Sequence, residues 1–294
     1  MDRITNLTAL QRDLLAWGEQ HRRDLPWRRT RDPWAVLVSE LMLQQTQVPR
    51  VLARFGPFLE LFPTAAACCA ASVGDVVAAW SGLGYNRRAV SLHRCAALVC
   101  ERHRGRLPDD LESLLALPGI GPYTARAVLV FAYGRDIGLV DTNAGRFVAR
   151  ALAGAAVAPR KAQALADATV PQAQGWAWGQ TVFDLGARFC TKRDPRCTAC
   201  PIAQHCAWQR AGGVAPDPID GSAGISSPQS TFDGSFRQGR GRLLARLTAG
   251  AVVAAEVAEA TGWPEEPERA EKAAASLVAD GLAVRQADGT LVLP

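Results

Sequence analysis

Residues 117–128 read LPGIGPYTARAV, and this stretch opens with the hairpin-like run Leu117-Pro118-Gly119-Ile120-Gly121. The run lies between an apolar helix predicted over 111–117 and a second helix predicted from Pro122 to about Tyr133. Two glycines around one apolar residue permit a tight hairpin whose backbone N–H groups point outward beside a helix N-terminus. These N–H donors and the positive end of the helix together form a site for an anion. DNA phosphate is one such anion and would be bound without regard to base sequence. A plain helix–helix turn could contain the same residues, so other segments of the chain are needed to distinguish a phosphate-binding hairpin from such a turn.

Helical patterns extend from this hairpin in both directions. Asp32-Pro33 is typical of a helix start, with Asp as N-cap and Pro at the first helical position, and the apolar helix that follows is predicted to reach Gln44. Further helices are predicted around 7–19, 48–62, 73–82, 86–104, 143–152, 161–170 and 176–189. No alternating strand pattern occurs before residue 280, so the sequence predicts an all-α main body.

Four cysteines near residue 200 have a spacing that suits an inorganic centre. Cys190, Cys197, Cys200 and Cys206 form the pattern C-x6-C-x2-C-x5-C. Thiolates are the soft ligands that iron–sulfur clusters and zinc prefer. The spacing differs from the paired CxxC…CxxC of a zinc ribbon. The other cysteines, Cys68, Cys69, Cys95 and Cys100, lie on Ala-rich apolar segments and are expected in the core.

Composition excludes some classes of protein and leaves others open. The formal charge of +5 is mildly basic and does not by itself identify a partner. Residues 1–10 do not resemble a secretory signal, and no run approaches the ~18–20 apolar residues of a membrane span. We therefore expect a cytoplasmic monomer that does not bind membranes, with cysteines as metal ligands or core thiols rather than disulfides.

The C-terminal fifth of the chain has a different pattern. Residues 211–235 are rich in Gly, Pro, Ser and Asp and are predicted to be a linker. Helices are predicted over 236–249, 252–261 and 266–280, followed by short apolar segments on either side of Ala287-Asp288-Gly289, a hairpin signal. Three helices and a hairpin indicate a small winged-helix-like module at 236–294. Its role, DNA binding or packing, stays open.

Taken in order, the motifs resemble the MutY family of adenine DNA glycosylases, within the helix-hairpin-helix superfamily that includes endonuclease III. The matching segments are SELMLQQTQV (39–48), GLGYNRRA (82–89), LPGIGPYTARAV (117–128), VDTNAGRFVAR (140–150) and the cysteine loop. The resemblance runs from Trp34 to Cys206. It implies a six-helix barrel domain with the hairpin at 27–136, an iron–sulfur domain made of 1–26 and 137–210, and a [4Fe-4S] cluster bound by Cys190, Cys197, Cys200 and Cys206.

By this resemblance two carboxyl groups perform the chemistry. Glu40 would be the general acid that protonates adenine, and its place in an apolar helix suits a carboxyl kept neutral near pH 7 by burial. Asp141 would face the anomeric carbon and stabilise positive charge on the sugar or bond to it transiently. Asp141 could also cap the helix that starts near Asn143, and Thr142 stands where the family often has Gly. Asn143 would orient the acid and the sugar.

Tyr123 occupies the position where bifunctional relatives have a lysine. The lysine amine attacks the sugar and forms a Schiff base. Because a phenol cannot form that intermediate, the resemblance implies a monofunctional glycosylase that leaves an abasic site.

The resemblance also implies DNA contacts. Gln44, Gln45 and Tyr85 would fill the space left when the target base leaves the helix stack. Hairpin residues Leu117, Gly119 and Gly121 would bind phosphate, and basic side chains are candidates for further phosphate contacts. These are Arg28, Arg29, Arg31, Arg87, Arg88, Lys192 and Arg193.

We therefore expect double-stranded DNA with a mispaired or oxidised base as the partner, and removal of adenine opposite 8-oxoguanine or guanine in base excision repair as the reaction. Two alternatives stay open: a thymine or uracil mismatch glycosylase of the same superfamily, and a non-catalytic protein that binds DNA structure. The family usually has a C-terminal Nudix-like domain that helps recognise 8-oxoguanine. The segment after Ser235 is too short for such a domain.

Overall fold

The computed structural model describes residues 2–222 and 231–294 and is dominated by helices, which confirms the all-α main body. The α-helices are α1 (Asp2–His21), α2 (Pro33–Leu43), α3 (Val48–Leu61), α4 (Ala65–Ala70), α5 (Val73–Ala79), α6 (Arg87–His103), α7 (Leu111–Leu115), α8 (Pro122–Phe131), α9 (Thr142–Phe147), α10 (Pro159–Ala168), α11 (Gly175–Arg188), α12 (Ala207–Arg210), α13 (Phe236–Ala249), α14 (Val257–Thr261) and α15 (Pro267–Ala279). Single 3₁₀ turns span Pro26–Arg28, Cys197–Ala199, Ala203–His205 and Ala254–Glu256, and a π-helical turn spans Val148–Ala153. In the described residues the strands are β1 (Val284–Arg285) and β2 (Leu291–Val292).

The chain divides into two compact units. The first unit consists of Met1–Arg31, Asp109–Leu111 and Gly121–Pro228, and the second of Asp32–Pro108, Glu112–Ile120 and Gln229–Pro294. Each unit is described separately below.

The second unit is built around α2. This helix begins as the sequence predicts: the Asp32 carboxylate accepts a hydrogen bond from the N–H of Ala35 at 3.0 Å, and Pro33 follows the cap. Every residue from Trp34 to Met42 is buried, because the helix is apolar on all sides and packs against α3 and α6. Beside it, Cys68 and Cys95 are core thiols, and burial raises the pKa of each to about 12.

The core of the first unit joins distant parts of the sequence. Leu10 and Leu14 of α1 pack with Phe147, and with Trp178 and Leu185 of α11. Helix α8 also belongs to this unit: the rings of Tyr123 and Phe131 lie 6.3 Å and 6.0 Å from the ring of Phe183 on α11. The structure therefore groups α8 with later residues of the chain.

Part of the segment predicted as a linker, 211–235, is anchored to the first unit. Ile219 is buried, the Asp217 carboxylate accepts hydrogen bonds from Arg150 at 2.5 and 2.8 Å, and the N–H of Val157 donates to the hydroxyl of Ser222 at 3.0 Å. The packed segment thus extends at least to residue 222. Residues 223–230 of the predicted linker lie outside the described residues.

The C-terminal module has the predicted three helices and hairpin. Strands β1 and β2 pair antiparallel, with Val284 opposite Val292 and Arg285 opposite Leu291. Leu243, Leu277 and Leu291 lie in its core. The module packs within the second unit, where the N–H of Gly74 donates to the carbonyl of Pro294 at 2.7 Å.

Among the described residues, none of the helices has the length and apolar character needed to cross a membrane.

Candidate active site and cysteine centre

The predicted acid, Glu40, is a buried residue near the end of α2. It is 6% exposed and lies between buried Ser39 and Leu41. The helix ends at Leu43, and Gln44 and Gln45 form the turn that follows, with Gln45 in the left-handed region at φ 52°. Tyr85, on a second turn of the same unit, is also left-handed at φ 47° and is 42% exposed. Such backbone conformations in residues other than glycine cost free energy and occur most often at functional sites.

A buried arginine braces these two turns. Arg88 donates to the carbonyls of Leu41, Met42 and Gln44 at 2.6–2.9 Å. It also donates to the carbonyl of Gly84 at 2.7 Å and to the hydroxyl of Thr46 at 3.0 Å. Burial lowers the pKa of Arg88 to about 10. Backbone carbonyls thus bind the Arg88 guanidinium, and its contact with a DNA phosphate stays a prediction.

The predicted carboxylate, Asp141, caps α9. One carboxylate oxygen accepts from the N–H groups of Asn143 and Ala144 at 2.8 and 2.7 Å, and the other accepts from the side-chain amide of Asn143 at 2.9 Å. Burial raises the pKa of Asp141 above its ordinary value, while these donors act in the opposite direction. Thr142, in the place of the expected glycine, is exposed. The two roles weighed for Asp141, helix cap and reacting carboxylate, are compatible with this geometry.

A second arginine connects this turn to the cysteine loop. Arg146 donates to the side-chain oxygen of Asn143 at 2.7 Å, to the carbonyls of Thr142 and Gly186 at 2.8 Å, and to the carbonyl of Cys190 at 2.5 Å. Gly186 lets α11 approach closely, since a Cβ there would lie 2.6 Å from the Cβ of Asn143.

Tyr123 lies in the first turn of α8, directly after Pro122. It is half-buried, with its ring against Phe183 in the first unit. The hairpin before α8 requires glycine at residue 119, where φ is 78° and a Cβ would lie 2.8 Å from the side chain of Ser91. Leu117 is buried beneath it, and Gly121 is the N-cap of α8.

The other predicted phosphate contacts fall into two groups. Arg28 is buried and pairs with Asp184 at 2.6 Å, whereas exposed Arg31 donates to the carbonyl of Phe131 at 3.0 Å and lies over the ring of Trp176. Both side chains therefore have intramolecular partners, and their DNA contacts stay predictions. Arg29 pairs with Asp24 on the surface, and Arg87, 74% exposed at its side chain, lies 3.4 Å from Asp280. Lys192 and Arg193 are exposed on the cysteine loop.

The four predicted ligand cysteines surround one apolar cavity. Cys190, Cys197, Cys200 and Cys206 line it together with aromatic and aliphatic side chains. Burial raises the pKa of Cys200 to about 12, so a thiolate there requires a bound cation. In the described residues no group of three or more His, Cys, Asp or Glu is placed to bind a metal ion. Four soft sulfur donors at one cavity are a ligand set that suits an iron–sulfur cluster or zinc.

Comparisons with known proteins agree with this geometry. Residues 38–172 match the HhH-GPD superfamily of base excision DNA repair proteins. The adenine DNA glycosylase of Mycobacterium tuberculosis H37Rv is 42% identical over 96% of this chain and 92% of its own length. The chain belongs to the adenine DNA glycosylase family. The Mycolicibacterium smegmatis member is 40% identical over 96% of this chain and 94% of its own. A solved thermostable thymine-DNA glycosylase, 25% identical, covers 72% of this chain and all of its own, with a TM-score of 0.67.

Sequence reasoning missed several residues that contact the candidate site or the cysteine loop. Arg146 lies within the matched motif VDTNAGRFVAR, but nothing in its spacing shows that it contacts Cys190. Gly186 gives no signal in a helical stretch. Asp217, which pairs with buried Arg150, falls in the segment predicted as a linker.

Proposed function

We propose that this chain is a monofunctional DNA glycosylase of base excision repair, which hydrolyses the N-glycosidic bond of adenine mispaired with 8-oxoguanine or guanine in double-stranded DNA. The observation that supports it most is the presence of a buried glutamate on an apolar helix together with an aspartate whose carboxylate accepts three hydrogen bonds. These are the two kinds of carboxyl that acid-assisted cleavage of a glycosidic bond requires.

Glu40 donates the proton. Adenine is a poor leaving group until a ring nitrogen is protonated, and a positioned acid contributes roughly 10²–10⁴-fold to such a step. The enclosure of Glu40 within α2 keeps bulk water from competing for that proton.

Asp141 acts on the sugar. As the base departs with its bonding electrons, the anomeric carbon becomes positive and the ionised carboxylate of Asp141 stabilises it. The three donors from Asn143 and Ala144 fix the orientation of the carboxylate, and Arg146 fixes Asn143 in turn. Water then adds to the anomeric carbon and the reaction ends at an abasic site. Tyr123 supplies no amine, so no Schiff base forms there and the DNA strand stays uncut.

Cys190, Cys197, Cys200 and Cys206 bind a [4Fe-4S] cluster in this proposal. When bound, the cluster supplies four metal–thiolate bonds that fix the loop from 190 to 206. Through the carbonyl of Cys190, the order of that loop reaches Arg146 and the Asp141 turn.

A panel of duplexes tests the reaction. Adenine release is expected from A:8-oxoguanine and A:G duplexes, with no strand cleavage and no covalent product after borohydride treatment. Release of thymine from T:G without release of adenine would instead assign the chain a thymine-DNA glycosylase activity, the name that its solved structural neighbour has.

Glu40→Gln tests the assigned role. The variant is expected to lose at least about 100-fold in single-turnover adenine release while it retains DNA affinity. Glu60→Gln, the same change at an exposed residue of α3, is the matched control and should behave as wild type. Undiminished release by Glu40→Gln would remove Glu40 from the mechanism, and release by neither variant nor wild type would favour a non-catalytic DNA-binding protein.

A further inference from the structure

Four cysteines outside the cysteine centre lie together in the second unit, where α4 packs against α6. Cys68 and Cys69 are on α4, and Cys95 and Cys100 are on α6. The thiol of Cys68 is close enough to the other three for their charges to interact. All four are unoxidised thiols in the structure. The sulfur atoms of two neighbouring helices are therefore side by side.

The members of this group differ in exposure. Cys68 and Cys95 are fully buried, and burial raises the pKa of each to about 12. A thiol of this kind stays protonated at neutral pH and is out of reach of solutes, so it is inert. Cys69 and Cys100 are only half-buried and can be reached from solvent. Reaction with a solute is therefore confined to Cys69 and Cys100.

The thiols of Cys69 and Cys100 are in direct contact through a hydrogen bond. Burial raises the pKa of Cys100, and both the nearby Cys69 sulfur and the hydrogen bond to it act in the same direction. A hydrogen bond raises the pKa of an acid when the acid is the donor, so the S–H of Cys100 donates to the sulfur of Cys69. Cys100 thus keeps its proton, and Cys69 is the sulfur left to react first.

A second contact between the two helices fixes the position of this pair. Nε2 of His93 on α6 donates to the carbonyl of Ala71, directly after α4, at 3.0 Å. The opposite face of α4 from solvent, with Ala65 and Cys68, is buried. Because the backbones are held in this way, rotation about side-chain bonds and a small approach of the helices would bring the two sulfurs to the ~2.05 Å of a disulfide bond.

We propose that Cys69 and Cys100 are a site of reversible oxidation, at which a low-molecular-weight disulfide crosslinks α4 to α6. The Cys69 thiolate attacks one sulfur of the reagent, an S–S bond to Cys69 forms, and the first reagent thiolate leaves. Cys100 then loses its proton and attacks the Cys69 sulfur, which releases the second reagent thiolate. Two protein thiols are oxidised, one reagent disulfide is reduced, and the two cysteine protons go to the two leaving thiolates. The proposal does not depend on the function proposed above.

The crosslink would close a loop that contains α5 and the turn with Tyr85. A disulfide across such a loop stabilises the folded state, mainly because it restricts the unfolded chain. Since the two thiols already touch, the crosslink does not require α6 to move. Oxidation is therefore expected to raise the stability of the second unit and to leave its fold unchanged.

Incubation of the purified full-length protein with glutathione disulfide tests the site. After alkylation, trypsin gives one peptide of residues 55–87, with Cys68 and Cys69, and one of residues 95–102, with Cys95 and Cys100. We expect a non-reducing peptide map to show the two peptides joined and a reducing agent to separate them. Cys69→Ser and Cys100→Ser should each abolish the joined product. Cys95→Ala, a matched change on the same peptide as Cys100, should retain it.

Thermal unfolding gives a second readout. Oxidised wild type should unfold about 5 °C above reduced wild type, and Cys69→Ser should show no such shift. The proposal is overturned if the peptides stay separate in wild type, if Cys69→Ser or Cys100→Ser retains the joined product, or if that product comes only from a covalent dimer on non-reducing electrophoresis. Glutathione that stays on Cys69 without release by Cys100 would also overturn it, because the two sulfurs would then be unable to meet.

Discussion

Two turns of the molecule, the one after α2 in the second unit and the one before α9 in the first, are each braced by a buried arginine, but the two arginines have different partners. Arg88 bonds to carbonyls of its own neighbourhood, from Leu41 to Gly84. Arg146 bonds to Thr142 and Asn143 and also to the carbonyl of Cys190. The turn near Glu40 thus depends on hydrogen bonds within the second unit, whereas the turn at Asp141 also depends on the cysteine loop.

Loss of one of the four predicted ligand cysteines is expected to lower stability more than any other change considered, and to loosen the Asp141 turn but not the turn after α2. If the four cysteines bind the proposed cluster, Cys200→Ser should destabilise the first unit by more than about 3 kcal/mol, because metal binding contributes directly to folding. Hydrogen exchange should show lost amide protection in α9 and α11 and unchanged protection in α2 and α6. Equal loss in α2 would show that the two turns are not supported separately.

Arg146→Met should affect chemistry and stability together. It leaves the carbonyls of Gly186 and Cys190 without their charged donor, which costs about 2–4 kcal/mol, and it releases Asn143 from its fixed orientation. Single-turnover adenine release at saturating protein should fall about 100-fold.

Arg88→Met is the matched control for that variant. It should cost a similar free energy of unfolding and also lower DNA affinity, because Arg88 braces the end of α2, next to Glu40, and the turns with Gln45 and Tyr85, which are proposed to contact DNA. A slower release step at saturation in both variants, with unchanged affinity in Arg88→Met, would contradict the comparison.

Gly186→Ala changes the Asp141 turn while both arginine side chains stay in place. The added Cβ would overlap Asn143, so we expect a loss of about 1–3 kcal/mol and a release rate about tenfold lower. Gly179→Ala, on the same helix but with its nearest neighbour at 3.2 Å, should leave the rate of release near that of wild type. Thermal unfolding and single-turnover assays of the pair give both quantities.

The smallest expected effect is a shift in the pH dependence of adenine release. Burial raises the pKa of Asp141, and in the proposed mechanism its carboxylate must be ionised to stabilise the sugar. Release should therefore decline as pH falls, with a midpoint above the usual Asp value of about 3.9. Asn143→Leu removes one donor that favours the ionised form, so its midpoint should move to higher pH. A midpoint at the usual value would show that the Asp141 carboxyl is well solvated.

Local signals predicted much of this molecule. The Asp32-Pro33 start of α2, the hairpin with Gly119 and the C-terminal strands around Gly289 each follow from the conformational preferences of a few adjacent residues. The family motifs then placed the candidate site residues, whose roles remain predictions.

Contacts between distant residues could not be predicted in the same way. In the sequence, Arg28 and Arg88 resemble surface cations. Only the fold shows that Arg28 pairs with Asp184 and that Arg88 is bound by backbone carbonyls. The packing of residues 211–222 could not be predicted for the same reason. The segment is mostly polar, and only a few of its residues, such as Asp217 and Ile219, contact the first unit. Partner choice depends on three-dimensional proximity, which residue spacing does not encode.

The ion pair between Arg150 and Asp217 has a practical consequence for anyone shortening this chain. The Arg150 side chain is 1% exposed and also donates to the carbonyl of Thr191 at 2.7 Å, so its charge is neutralised from a residue well past the last ligand cysteine. A truncation after residue 210 would remove Asp217 and leave the buried Arg150 guanidinium without its counter-ion, which would lower the free energy of unfolding by about 3–5 kcal/mol. A truncation after Ser222 would keep that counter-ion. The minimal folded form of the cysteine-containing unit is therefore longer than its motifs suggest.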